Sequence, residues 1–217
     1  MKTLVLIGLL APLATVARDA AAQAPSLEIE AAMAFQTRYP VLLNDGCGHG
    51  FGIVPSTKLR YRANGVLVGE IGLAGQFEVE TERPPICEAF PPPPDGDWIR
   101  RAYDTRRGNP SVVAEGRLVL TPIENDHGSF RTIGGLAWYL GRNTPAWLVG
   151  SGLRSRTAWG AVTVDVEFWN VGAPYDVIRE HYTGGEVTAV DHLSRDREWD
   201  GHWQFRLGFV IWQSGPS

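Results

Sequence analysis

The 217-residue sequence contains only two cysteines, Cys47 and Cys87, so at most one intramolecular disulfide can form. Nowhere does it carry eighteen consecutive apolar residues, which excludes a helical membrane protein. A basic surplus is also missing: 20 Lys and Arg face 24 Asp and Glu, which removes the electrostatic reason to expect nucleic acid as a partner. No internal repeat, domain linker or recurrent zinc-ligand spacing occurs, so a single domain without a metal centre or other cofactor is expected.

The N-terminus reads as a targeting segment. Lys2 gives a positive start, residues 4–13 form a short apolar core, and Ala20, Ala21 and Ala22 offer a small-residue cleavage site. A signal peptide over 1–22 and a mature domain over 23–217 are expected. Cleavage removes Lys2, Arg18 and Asp19, leaving 18 basic against 23 acidic side chains, a net −5 with neutral histidines. Export favours joining Cys47 to Cys87, a bond worth on the order of 4 kcal/mol by the chain-entropy model.

The mature chain alternates with a period of two, which predicts strands. Leu27, Ile29, Ala31, Met33 and Phe35 share one face, and Glu28, Glu30, Gln36 and Arg38 the other. The pattern returns over 53–61, 67–79, 112–120, 130–140, 147–153, 158–168 and 203–212, giving eight strands. Most are near the length that crosses a bilayer when tilted. Asn64-Gly65 is the strongest hairpin signal, because both residues accept the positive φ of a primed turn. Short connections fall around 63–65, 122–127 and 155–157, and long ones over 39–51, 81–111 and 170–201. Only the connection over 141–145 breaks the alternation.

Periodicity leaves two arrangements open. A soluble barrel puts the apolar face inward, whereas a membrane barrel turns it to lipid. Long loops on one side, aromatic residues near strand ends, and apolar faces free of Asp, Glu, Lys and Arg favour the membrane. These features, with the signal segment and the aromatic final strand from Trp203 to Trp212, resemble the eight-stranded bacterial outer-membrane barrels, the OmpA-type and OmpX-type proteins. The family's last strand ends in a C-terminal aromatic residue, whereas here Gln213 to Ser217 follow it.

The resemblance implies an all-β, antiparallel up-and-down transmembrane barrel, monomeric, in the outer membrane of a Gram-negative cell. Its partners would be outer-membrane lipid and, during biogenesis, the barrel assembly machinery, and its role structural or surface-interacting. Glu28, Glu30, Arg38, Lys58, Arg60, Glu70, Glu78, Glu115, Arg117, Arg131, Asp165, Glu167 and Arg206 would then point inward. A narrow bore with both signs of charge predicts a packed polar plug. The alternatives are an exported lipocalin-like barrel carrying a small apolar ligand, though it lacks the family's Gly-x-Trp in the first strand, and a lipid-modifying outer-membrane enzyme.

Catalytic signals are sparse, and no catalytic residue is assigned. Asp191, His192 and Ser194 place an acid, a base and a hydroxyl close in sequence. His192-x-Ser194 is similar to the His-Ser pair of outer-membrane lipid A deacylases, where Asn follows in place of Arg195. His181, His192 and His202 lie near Glu180 and Asp191 without zinc spacing. Gly46, Gly48, Gly50 and Gly52 alternate and precede no helix, so they make no phosphate-binding loop.

Overall fold

A computed structural model describes residues 25–37, 51–63, 66–79, 94–103, 111–140, 144–157 and 160–214. It contains the strands β1 (Ser26–Gln36), β2 (Phe51–Arg62), β3 (Leu67–Val79), β4 (Gly96–Tyr103), β5 (Ser111–Asn125), β6 (Gly128–Tyr139), β7 (Thr144–Thr157), β8 (Gly160–Thr183) and β9 (Glu186–Ser214). Eight of them close a barrel. β1, β2, β3, β5, β6, β7, β8 and β9 pair antiparallel in that order, and β9 returns to β1 with Phe35 opposite Phe205. Closure leaves the wall without a free edge.

The strand sequences explain the local geometry. Alternation holds one row of side chains on each face, and a one-residue slip would invert both rows. β5 runs five residues past Leu120, and its register with β6 shifts between Leu120 and Ile123. Pro122 lies in that interval; it has no N–H to give to a ladder, so a bulge is the natural place for it. The β5–β6 turn is correspondingly tighter than the sequence suggests. Asn125 Oδ1 accepts from the backbone N–H groups of His127 at 2.9 Å and Gly128 at 3.0 Å. β7 extends three residues before Trp147 and four beyond Leu153, in a register that turns Trp147, Val149 and Leu153 outward.

Two of the expected loops need correction. Residues 170–201 are not a loop: β8 and β9 continue past the barrel as one hairpin, paired from Asn170–Gly201 to Thr183–Glu186. The twelve residues of β8 beyond Val171 reach roughly 35–40 Å at the usual rise per residue. The tip is Gly184-Gly185, with φ of 60° and 83°, the two consecutive left-handed residues of a primed turn. The connection over 81–111 likewise contains β4, which pairs with β8 from Gly96–Tyr182 to Tyr103–Tyr175. The barrel wall is therefore continuous with a three-stranded sheet, β4-β8-β9, beyond one rim.

The wall is polar inside and apolar outside. Arg206 is 1% exposed, while its neighbours Phe205 and Leu207 are 49% and 41% exposed. The same inversion holds on the facing strands, where buried Glu70 lies between exposed Ile71 and half-buried Gly69. Among the described residues, the outward positions of the barrel strands carry no Asp, Glu, Lys, Arg or His.

Candidate functional site

The lumen holds most of the buried charge. Among the described barrel residues, Lys58, Arg60, Arg62, Arg117, Arg131, Arg154 and Arg206 are buried with Glu28, Glu30, Glu70, Glu115, Asp165 and Glu167. The strand registers place opposite charges side by side: Glu28 faces Arg60, Glu30 faces Lys58, Arg60 faces Glu70, and Asp165 faces Arg206. Cross-strand neighbours of opposite sign support the pairing as well as the interior.

Two clusters result. In one, Glu30 lies 3.3 Å from Lys58 Nζ and 3.1 Å from Arg60 Nη1, and Glu70 lies 2.8 Å from Arg60 Nε and 2.7 Å from Arg131 Nη2. Thr163 Oγ1 donates to Glu30 at 3.1 Å, and Arg131 also approaches Asp165 at 3.3 Å. In the other, Arg117 pairs with Glu115 at 2.7 Å and with Glu167, while Arg206 lies 3.3 Å from Glu115 and 3.5 Å from Glu167. Trp169 Nε1 donates to Glu167 at 2.8 Å, and the Arg117 guanidinium stands over that indole, 5.8 Å from its centroid. Low local dielectric strengthens such networks and makes each member costly to remove.

Small inward residues make room for the long ones. A Cβ on Gly208 would come within 2.7 Å of Glu30 Oε1, and one on Gly152 would overlap the Asp165 carboxylate. Toward the loop-side rim the described lining includes amide and aromatic side chains. Gln76 Nε2 donates to the Tyr139 hydroxyl at 2.9 Å, and the His202 ring stacks on Trp169 at 6.4 Å. At the turn-side end Val68, Val119 and Ile133 are buried beside Arg62 and Arg154.

Of the thirteen residues expected to point inward, eleven are buried at 4% exposure or less. Arg38 and the side chain of Glu78 lie outside the described residues, as do Cys47 and Cys87. Arg62 and Arg154 lie one residue past the strand ends that the alternation suggests, Tyr61 and Leu153, whereas β2 and β7 continue to Arg62 and Thr157. Both keep the inward phase, so the signal was alternation continuing past the assigned ends.

The other candidates are dispersed by strand geometry. Asp191 pairs with Arg179, His192 with Ile178 and Ser194 with Val177, so His192 points to one face of the extension and Asp191 and Ser194 to the other. No acid–base–nucleophile arrangement forms from these three. His202 lines the lumen, whereas His181 sits on the extension between Asp97 and Asp191. Among the described residues, no group of three His, Cys, Asp or Glu is placed to hold a metal ion.

The chain is thus an all-β protein with a closed eight-stranded antiparallel barrel and a charged, densely paired interior. No family model, curated protein sequence or solved structure matches it.

Proposed function

We propose that the chain is an outer-membrane β-barrel with a structural or surface-interaction role, crossing the bilayer with its eight barrel strands and carrying the β4-β8-β9 sheet beyond the membrane. The carrying observation is the uncharged, apolar outer wall around a charged interior. In water that arrangement would expose Ile71, Leu118, Leu136 and Phe209 at 50% or more while burying thirteen charges. Facing hydrocarbon, the same wall is solvated by its surroundings.

Aromatic placement supports the same reading. Trp138, Trp147, Phe168 and Trp203 face outward toward the loop-side rim, with Trp147–Phe168 centroids 5.9 Å apart and Phe168–Trp203 at 5.3 Å. Tyr61, Phe130 and Trp212 face outward nearer the turn side. Amphipathic rings at two levels suit the two lipid–water interfaces. A carrier of an apolar ligand would need an apolar lumen, and here paired charges occupy that space.

Cell fractionation combined with gel migration before and after boiling tests the proposal. The chain should fractionate with the outer membrane, resist SDS until heated, and need detergent to stay monomeric. A monomer that remains folded without detergent in the soluble fraction would overturn it.

A further inference from the structure

Among the described residues β4 is an edge strand of the extension, and its ladder runs to β8. Polar contacts reinforce that ladder. Arg100 donates to Glu180 Oε1 at 2.9 and 2.6 Å. Arg101 passes over the Tyr175 ring, 5.0 Å from its centroid, to reach Glu198 of β9 at 2.8 Å. His181, on the central strand, lies between two carboxylates: Nδ1 is 2.7 Å from Asp97 Oδ1 on β4, and Nε2 is 2.9 Å from Asp191 Oδ2 on β9.

Hydrogen-bond chemistry restricts this last arrangement to one protonation state. Ionised carboxylates only accept, so both ring nitrogens must carry protons. A neutral imidazole has one N–H and would turn its other lone pair toward a carboxylate. We propose that His181 is a protonation-dependent latch, which as imidazolium ties β4 to β9 across β8 and as neutral imidazole holds only one of them. β4 is the strand released, because β9 is joined to β8 by the Gly184-Gly185 turn and a long ladder, whereas β4 pairs over eight residues.

The surroundings fit this role. Arg179 of β8 places Nε 3.9 Å from Asp97 Oδ2 and pairs in register with Asp191, whose carboxyl is held below its ordinary value, chiefly by the hydrogen bond from His181. Thr188 Oγ1 donates to the His181 carbonyl at 3.1 Å and fixes the backbone beneath the ring. The hydrogen bonds to Asp191 and Asp97 raise the histidine above its ordinary value. A raised value means the latch is complete below the unfolded-state pKa and is lost as pH rises through the folded one. The bond from Arg100 holds Glu180 below its usual value, so the Arg100–Glu180 contact persists through the step.

Hydrogen exchange of the full folded chain between pH 5.5 and 9, corrected for intrinsic base catalysis, tests the latch. Protection of the Gly96–Tyr103 amides should fall in a step centred above pH 6.5, by roughly tenfold for each unit of the raised pKa. His181→Gln should abolish the step, and Asp97→Asn should move it to lower pH, with barrel amides of β3 and β5 unchanged in both. No step, a step at or below pH 6.5, or one that survives His181→Gln overturns the proposal. Should either variant disturb the barrel amides, histidine nitrogen NMR of the wild-type chain decides: a His181 ring-nitrogen titration centred above pH 6.5 supports the latch, and one centred at or below pH 6.5 overturns it.

Discussion

Arg154 on β7 and Glu28 on β1 meet through two parallel hydrogen bonds of 2.9 and 2.8 Å, although 126 positions separate them in sequence. Their strands are three apart around the wall, so the pair crosses the turn-side end of the lumen. Such a bidentate contact fixes both geometry and partner.

Replacing one member should therefore cost more than replacing both. Arg154→Leu removes the bidentate partner of Glu28 and leaves Arg60 3.3 Å away, and should cost about 3 kcal/mol. Glu28→Leu combined with Arg154→Leu should recover at least about 1 kcal/mol of the summed single losses. Guanidinium unfolding of the four chains gives the coupling, and strict additivity would argue against the pair.

The outer wall makes the membrane reading quantitative. Leu136 is 71% exposed, between Phe130 and Trp138 on β6. On a surface facing water, Leu136→Arg should change stability by no more than about 0.5 kcal/mol. Facing the bilayer interior, it should cost about 2–4 kcal/mol. Unfolding measured on chains folded into lipid vesicles separates the two outcomes.

Glycines on the two faces of β6 and β7 should respond differently to the same change. A methyl on inward Gly152 would collide with the Asp165 carboxylate and the Val164 carbonyl, so Gly152→Ala should lose about 1–3 kcal/mol. A methyl on outward Gly134 meets nothing within 4 Å, so Gly134→Ala should stay within about 0.5 kcal/mol of wild type. Equal losses at the two positions would contradict the close packing of the lumen.

The interior also bears on transport. Paired side chains such as Arg117, Glu167 and Arg206 occupy the bore at 4% exposure or less. Purified protein in planar bilayers should show no large, steady conductance. A stable open channel would refute the packed-plug description.

Much of this barrel is legible along the chain because each strand segregates charge by parity. Glu28 and Glu30, or Asp165 and Glu167, fall on the opposite parity from Ile29 or Val166, and that alone places them on a common face. The extension was less legible because its two faces are both mixed. His181 and Arg179 on one face and Ile178 and Glu180 on the other give no apolar row, so the segment reads as polar loop. The Gly184-Gly185 dipeptide was its one strong local signal. β4 was hidden for a related reason: eight residues with three charges beside a proline run carry little alternation of hydrophobicity, and the strand exists through its ladder to β8.

The order of residues by itself determined that the chain forms strands, roughly where they lie, and which side chains share a face, because backbone pleating forces neighbours to opposite sides. Only the closed structure decided which face is enclosed and which partners meet there. Parity is a local property, but Glu28 finding Arg154, or His181 lying between Asp97 and Asp191, depends on strands brought together from distant parts of the chain.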